Sequence, residues 1–123
     1  MNPDRQGTAL VTGAGRRIGA AIARDLARQG FAVALHYNSS GGAAEALASE
    51  IREGGGRAAC LPADLARPDQ LERLVPAAAA AFGPLSLLVN NASLFEPDTI
   101  FDATAESWSR HLDVNLRAPF FLS

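Results

Sequence analysis

The residues best placed to do chemistry form a glycine-rich turn, residues 12–19, which read TGAGRRIG between an apolar run and a helical pattern. A strand that turns through glycines into a helix exposes the first helical N–H groups, and the helix dipole adds positive charge there. Such a helix start can bind phosphate. Gly13 suits the tight turn, Gly15 the close approach of a pyrophosphate, and Gly19 the packing of helix on sheet. The residues predicted to bind phosphate in this glycine turn are Gly13, Gly15, Arg16, Arg17, Ile18 and Gly19.

The polar segment after the second apolar run indicates which dinucleotide would bind. A cofactor with a free ribose 2′-hydroxyl needs an Asp or Glu near His36, about 20 residues beyond the glycine turn. Residues 36–40 read HYNSS and contain no acid. Their hydroxyls, amide and imidazole suit a 2′-phosphate instead, which favours NADP over NAD; the other possible role is a polar helix cap. The residues predicted to bind here are His36, Tyr37, Asn38, Ser39 and Ser40.

Polar residues also follow the third and fourth apolar runs. Asp64 could accept a hydrogen bond from an adenine amino group, or it could end a strand and start a turn. Of Asn90 and Asn91, one could bridge backbone groups of neighbouring strands while the other faces the ligand. Ligands of doubly wound sheets bind at the carboxyl ends of the strands, so these positions are expected to meet.

The elements that must position these residues alternate along the chain. Continuous apolar runs predict four buried strands, and helical periodicity predicts helices between them and after the last one. The predicted strands cover residues 8–12, 32–37, 58–62 and 85–89; the predicted helices begin near residues 18, 44, 68 and 105. The pattern predicts a Rossmann-type α/β fold, a doubly wound parallel sheet with helices on both faces. Because this is about half of a complete dinucleotide fold and residues 119–123 are apolar without a cap, residues 1–123 are predicted to form a single domain that is the N-terminal part of a longer one.

The composition is that of an ordinary globular domain, with 48% apolar residues in 123. A net charge of −2 gives no reason to expect nucleic acid or an anionic membrane as a partner. No apolar run reaches the ~18 residues of a membrane span, and the expected location is cytoplasmic. Cys60, the single cysteine, lies in an apolar run and is interpreted as a small packed hydrophobe.

Several motifs together resemble the short-chain dehydrogenase/reductase family. Residues 12–19 resemble its T-G-x-x-x-[GA]-x-G loop with Arg17 at the middle position, residues 90–93 resemble its N-N-A-G motif with Ser93 for glycine, and DVNL with PF after residue 112 resembles its active-site asparagine helix. The resemblance implies NADP(H) binding by Asp64, Leu65, Asn91, Ala92 and Ser93 in addition to the residues above. It also implies that Asn115 is one member of a catalytic tetrad.

Asn115 can also be interpreted from its own helix. It is expected on the same face as Trp108 and Leu112, pointing inward. Pro119, four residues later, has no N–H to donate to the Asn115 carbonyl, which could then bind a water at the head of a proton relay. The other possibility is a kinked helix with a satisfied core asparagine.

Within the family the sequence is most similar to pteridine reductases, through Arg17, the Leu35-His36-Tyr37 segment, and residues 90–93 followed by Phe95. By that resemblance Arg17, Ser93 and Phe95 face the pterin, with Phe95 stacked on the heterocycle. Ser39 stands where those enzymes tend to carry a basic residue, and Leu94 replaces a serine, so a weaker grip on the 2′-phosphate is expected.

The family's catalytic serine and Tyr-x-x-x-Lys pair lie beyond the asparagine helix, and this sequence contains no lysine. The complete enzyme is expected to transfer a hydride from NADPH to a pterin or another small carbonyl or imine substrate, and the 123 residues alone are expected to be inactive. A homo-oligomer is expected at full length. A non-catalytic nucleotide-binding module is the alternative, and a methyltransferase is disfavoured by the NNAS segment and the asparagine helix.

Overall fold

The computed structural model describes residues 6–15, 17–92 and 103–123. One four-stranded parallel sheet of order β3-β2-β1-β4 forms the centre of the fold. The strands are β1 (Gly7–Val11), β2 (Phe31–Tyr37), β3 (Arg57–Pro62) and β4 (Leu85–Val89); the helices are α1 (Arg17–Arg28), α2 (Gly41–Glu53), α3 (Pro68–Phe82), α4 (Ala105–Leu112) and α5 (Ala118–Leu122), with a π-helical segment (Asp113–Arg117) between the last two. The predicted incomplete Rossmann-type sheet is confirmed, and its strand bounds differ from the predicted ones by at most one residue.

The central strands read as continuous apolar runs because helices cover both faces of the sheet. Val11 and Leu35 pack with residues of α1 and α2 on one face, whereas Leu10 and Ala34 pack with residues of α3 and α5 on the other. All four side chains are fully buried, although neighbours along a strand point to opposite faces. The apolar strands β1 and β2 thus anchor the polar residues that follow them at a fixed edge of the sheet.

Helix α4 begins at the N-cap residue that the sequence predicts. Thr104 is the N-cap of α4: its Oγ1 accepts a hydrogen bond from the Ser107 N–H at 3.0 Å, while the Ser107 hydroxyl accepts from the Thr104 N–H at 3.0 Å. Further along, Pro119 has no N–H for an α-helical bond. The Ala118 N–H bonds instead to the Asp113 carbonyl, five residues back, and this wider turn makes the π-helical segment.

The expectation that Asn115 points inward is wrong. The residues of this helix that are buried against the rest of the fold are Ser107, Ala118 and Leu122. Trp108, which was expected to mark the inner face, is 65% exposed, and Asn115 is exposed as well. Helical spacing correctly places Trp108 and Asn115 on one side of the helix, but that side faces outward and not towards the core. The π-helical turn holds one residue more than an α-helical turn, and this rotates the residues after it further around the helix axis.

Cys60 lies half-buried in β3, packed against the cluster on the α1–α2 face. Burial, with the Glu45 carboxylate nearby, raises the pKa of its thiol to about 11, which makes it a poor nucleophile and agrees with its interpretation as a packed residue.

In the described ranges, no helix combines the length and the apolar character that crossing a bilayer requires.

Candidate functional site

A cleft of about 390 Å³ opens at the carboxyl ends of the four strands. The chain leaves β1 towards β2 on one side and β4 pairs with β1 on the other, so the cleft lies where the strand order reverses, the usual ligand position in such sheets. Its lining residues are Gly13, Arg17, Ile18, His36, Tyr37, Asn38, Ser39, Ser40, Asp64, Leu65, Asn91, Ala92 and Val114. All except Val114 are site residues that the sequence predicts.

The glycine turn packs too closely for side chains at three of its positions. Gly13 has φ +64°, and a Cβ there would lie 2.9 Å from the Ala92 Cα. A Cβ on Gly19 would collide with the Gly13 carbonyl and the Asn91 side chain. Because glycine has no Cβ, the first turn of α1 can approach the end of β1. Gly15 lies against the Ser40 side chain. Gly15 and Gly19 thus shape the turn and do not line the cleft.

Thr12 joins the ends of β1 and β4, a role that the sequence analysis did not assign. Its Oγ1 accepts hydrogen bonds from the N–H groups of Asn91, at 3.0 Å, and Ala92, at 2.9 Å. The Thr12 N–H donates to the Val89 carbonyl at 3.0 Å. A threonine that ends a buried apolar run just before a glycine turn is the signal that could have indicated this role.

The two asparagines after β4 differ in position. Asn91 donates from Nδ2 to the Gly13 carbonyl at 3.1 Å and also lines the cleft, so it both bridges the strand ends and faces the site. Asn90 is exposed and lies 3.5 Å from the Ser123 hydroxyl, outside the cleft lining. The sequence predicts that one asparagine bridges the strands and the other faces the ligand; in the structure Asn91 does both.

The His36 ring is bonded to the backbone on both sides. Nδ1 accepts from the Gly13 N–H at 3.0 Å, and Nε2 lies 2.8 Å from the Ala63 carbonyl oxygen, to which it donates. The side chain is 2% exposed, and burial lowers the pKa of His36 below its ordinary value, against the opposing effect of the Ala63 hydrogen bond. Both ring nitrogens are therefore used, and neither is available for the predicted contact with a phosphate.

The turn after β2 and the loop after β3 complete the cleft. Ser40 holds the N-cap position of α2, yet its side chain makes no capping hydrogen bond. Asp64 accepts the Ala66 N–H on Oδ1 at 3.0 Å, and its own N–H donates to Gln70 Oε1 at 2.7 Å. Asp64 thus starts a turn and lines the cleft as well, so its two predicted roles are compatible.

Arg17 and Asp64 are the charged side chains that line the cleft within the described ranges. Arg17 has φ +53°, a left-handed conformation that is rare for a residue with a Cβ. Beside it Ile18 is 69% exposed, so an apolar side chain stands uncovered at the start of α1.

Asn115 does not line the cleft, but its neighbour Val114 does. Arg117 fixes this part of the chain, since its Nη2 donates to the Ala66 carbonyl at 2.7 Å and its Nη1 lies 3.5 Å from Asp113 Oδ1. The π-helical segment is thereby joined to the loop that carries Asp64. The predicted site residues Arg16, Ser93 and Phe95 lie outside the described residues.

Comparison with known proteins gives consistent matches. Residues 7–123 match the family model described as short chain dehydrogenase. The short-chain dehydrogenase/reductase FrzI of Cladobotryum sp is 41% identical over 114 residues, which are 93% of this chain and 44% of FrzI. Among solved structures, FolM alternative dihydrofolate reductase 1 from Brucella canis, complexed with NADP, has a TM-score of 0.91 at 43% identity over 99% of this chain and 48% of its own.

A short chain dehydrogenase from Burkholderia cenocepacia J2315 in complex with NADP also has a TM-score of 0.91, at 41% identity over 97% of this chain and 49% of its own. The chain spans about half the length of these relatives. The family model covers nearly the whole chain, and the fold and the lining of the cleft agree with it. The chain belongs to the short-chain dehydrogenase family.

Proposed function

We propose that residues 1–123 form the NADPH-binding domain of a short-chain reductase, which transfers a hydride to a pterin or another small carbonyl or imine substrate. The cleft at the strand ends supports this proposal, because its volume of about 390 Å³ and its mixture of apolar and polar lining suit part of a dinucleotide. The relatives from Brucella and Burkholderia are both complexed with NADP.

The lining beside the end of β2 carries the preference for NADPH over NADH. The residues there offer a phenol, an amide and two hydroxyls, namely Tyr37, Asn38, Ser39 and Ser40. No carboxylate lies among the described side chains at this end of the cleft, and a carboxylate would repel a 2′-phosphate. Arg17, at the start of α1, supplies a positive charge to the same cleft.

The start of α1 is the part that would hold the pyrophosphate. The N–H groups of Gly13 and Ala14 are directed to His36, so the amides that we propose for a phosphate lie further along, at the start of α1, where Arg17 and Ile18 line the cleft. Asp64 would accept a hydrogen bond from adenine, and Asn91 and Ala92 would border the nicotinamide side. NADPH, when bound, supplies the hydride; the chain binds it, orients it and excludes water.

For the substrate, Arg17 can donate hydrogen bonds to a ring edge from the mouth of the cleft. Ser93 and Phe95 are proposed to contact the same ring. The similarity to a protein named as a dihydrofolate reductase supports a pterin, since dihydrofolate contains one. Asn115 is proposed to act in proton transfer together with the family's Ser and Tyr-x-x-x-Lys residues. Because the 123 residues lack that pair, they are proposed to bind the cofactor without turning over substrate.

The test is a comparison of dissociation constants for NADPH and NADH. We expect the chain to bind NADPH at least about tenfold more tightly, which corresponds to about 1.4 kcal/mol. Ser39→Asp should reduce or reverse this preference, because it places an acid where the 2′-phosphate would lie. Ser49→Asp, at an exposed position of α2, is the matched control and should leave the preference unchanged. Equal or tighter binding of NADH by the unsubstituted chain would overturn the proposed specificity.

Assembly and location belong to the same proposal. We infer a homo-oligomer formed through the α3 and α4 side of the fold and a cytoplasmic location, with a small-molecule substrate and no nucleic-acid or membrane partner. The exposed Trp108 supports an interface on that side.

A further inference from the structure

His36 connects the ends of β1, β2 and β3 just beyond the point where the pairing of β1 with β2 stops. The β1–β2 pairing ends at Val11 with Leu35. After it, the His36 carbonyl accepts the Ala14 N–H at 2.9 Å, and the ring Nδ1 accepts the Gly13 N–H at 3.0 Å. The other ring nitrogen reaches the Ala63 carbonyl, at the end of β3, at 2.8 Å. One residue therefore anchors the glycine turn to both β2 and β3.

These partners allow a single form of the ring. A backbone N–H can only donate and a carbonyl can only accept, so Nδ1 must carry a lone pair and Nε2 must carry the proton. An imidazolium would point an N–H at the Gly13 N–H, and the hydrogen bond would be lost. Burial favours the same neutral form, because charging the ring at 2% exposure costs desolvation energy. The titratable or charged side chains that line the cleft with His36 are Arg17, Tyr37 and Asp64.

The bond to Gly13 also fixes how the turn presents its amides. Gly13 has φ +64°, and its N–H and that of Ala14 are turned towards β2. The backbone beyond them continues into α1, whose first residues, Arg17 and Ile18, line the cleft. Without the ring, Gly13 keeps one fewer restraint, and its glycine backbone has many other conformations available.

We propose that His36 is a positioning residue for the cofactor, and that its neutral Nε2–H form holds the glycine turn in the conformation that binds the pyrophosphate. His36 itself does not touch the phosphate. This inference rests on the proposed function, since it assigns the residue that keeps the NADPH site in shape.

The ring form can be measured without any cofactor. In a ¹⁵N-labelled chain, two-bond ¹H–¹⁵N spectra distinguish the two tautomers and the imidazolium. We expect His36 to show an unprotonated Nδ1 and a protonated Nε2 near neutral pH, and the Gly13 amide to exchange slowly with solvent. A protonated Nδ1, or a Gly13 amide that exchanges as fast as the exposed amides, would overturn the proposal.

Binding gives the second test, with two variants of the complete gene product. His36→Asn keeps a non-titrating acceptor close to the position of Nδ1, whereas His36→Phe removes both ring nitrogens. At pH 8 we expect His36→Phe to weaken NADPH binding by about tenfold, because of its two lost ring hydrogen bonds the one from the Gly13 N–H holds the turn, and His36→Asn to weaken it by less than about threefold.

The pH profile separates this role from a general loss of packing. NADPH binding to the unsubstituted protein should weaken more than binding to His36→Asn at the pH where the ring spectra show His36 taking up a proton, which lies below the ordinary imidazole range because burial lowers the pKa of His36. The cofactor phosphate, Arg17, Tyr37 and Asp64 are common to both proteins, so their effects cancel in the ratio of the two dissociation constants. A ratio that stays constant while the spectra show His36 becoming an imidazolium would contradict the proposal. If the unsubstituted protein binds no NADPH, the proposed function fails, while the ring spectra still test the hydrogen bonds of His36.

Discussion

At the scale of single residues, Arg17 is held in a conformation that its side chain disfavours. Its φ of +53° is left-handed, which costs about 1–2 kcal/mol for a residue with a Cβ. Family members usually have glycine or alanine at this position, and glycine would adopt the conformation without strain. Arg17 lines the cleft, so the strain is best explained by a contact that only the guanidinium can make there.

Replacing Arg17 should therefore separate stability from activity. We expect Arg17→Gly to raise the free energy of unfolding by about 1 kcal/mol, because the left-handed strain is relieved. Its kcat/KM with a dihydropterin, the substrate class we propose, should fall by about tenfold, since the charged hydrogen-bond donor that we propose for the substrate is lost. Urea unfolding and initial rates on the complete gene product measure the two effects.

The matched control is Arg17→Ala, which removes the guanidinium but keeps a Cβ in the left-handed conformation. It should lose the same activity without the gain in stability. A glycine variant that is no more stable than the alanine variant, or that keeps the original kcat/KM, would contradict this explanation of Arg17.

At the scale of the elements, the junction of β1 with β4 depends on one hydroxyl group. Thr12 is 1% exposed, and its Oγ1 is the acceptor for two backbone N–H groups, those of Asn91 and Ala92. Buried N–H groups without an acceptor are costly, each by about 1–3 kcal/mol. The hydroxyl of Thr12 therefore keeps the loop after β4 beside the glycine turn, where both border the cleft.

Thr12→Val should lower the free energy of unfolding by about 1–3 kcal/mol, because it leaves the Ala92 N–H without its acceptor, whereas the Asn91 N–H keeps its bond to the Val89 carbonyl at 3.1 Å. Thr12→Ser keeps the hydroxyl and should restore most of the loss. Thr8→Val makes the same change within β1, but among the described residues the Thr8 hydroxyl makes a single hydrogen bond, of 3.3 Å to the Phe82 carbonyl, so the effect should be smaller. Equal losses for the two valine variants in urea unfolding would refute the special role of Thr12.

The strands, and the residues that follow them, could be predicted because they depend on local patterns. Apolar runs of five to six residues predicted the sheet, and the strand ends together with the family resemblance predicted twelve of the thirteen cleft-lining residues, all but Val114. The hydrogen bonds of Thr12 and His36 could not be predicted, because their partners lie 77 to 80 and 23 to 27 residues away. The orientation of Asn115 was wrong because helical spacing defines a stripe but does not say which side packs on the core.

At the scale of the whole molecule, exposed apolar side chains are concentrated on the helical segment formed by α4, the π-helical turn and α5. Trp108, Leu116, Phe120 and Phe121 are each 64–74% exposed, whereas the opposite side of the helix is buried through Ala118 and Leu122. The rings of Phe120 and Phe121 contact each other edge to face, with centroids 5.2 Å apart. Contiguous apolar surface of this kind is typical of a site that packs against other protein.

We therefore expect the chain to self-associate through this surface, and two added charges to prevent it. Leu116→Glu with Phe120→Glu places two carboxylates four residues apart on the exposed side, where burial in an interface would desolvate both. Sedimentation of this double variant should give a lower average mass than that of the unsubstituted chain, while its affinity for NADPH stays the same because neither residue lines the cleft. Ala46→Glu with Ser49→Glu adds the same charge at exposed positions of α2 and should leave the mass unchanged. A chain that sediments as a monomer before any substitution would show that these side chains do not bind a second copy, and the exposed helix would then have to pack against a different partner.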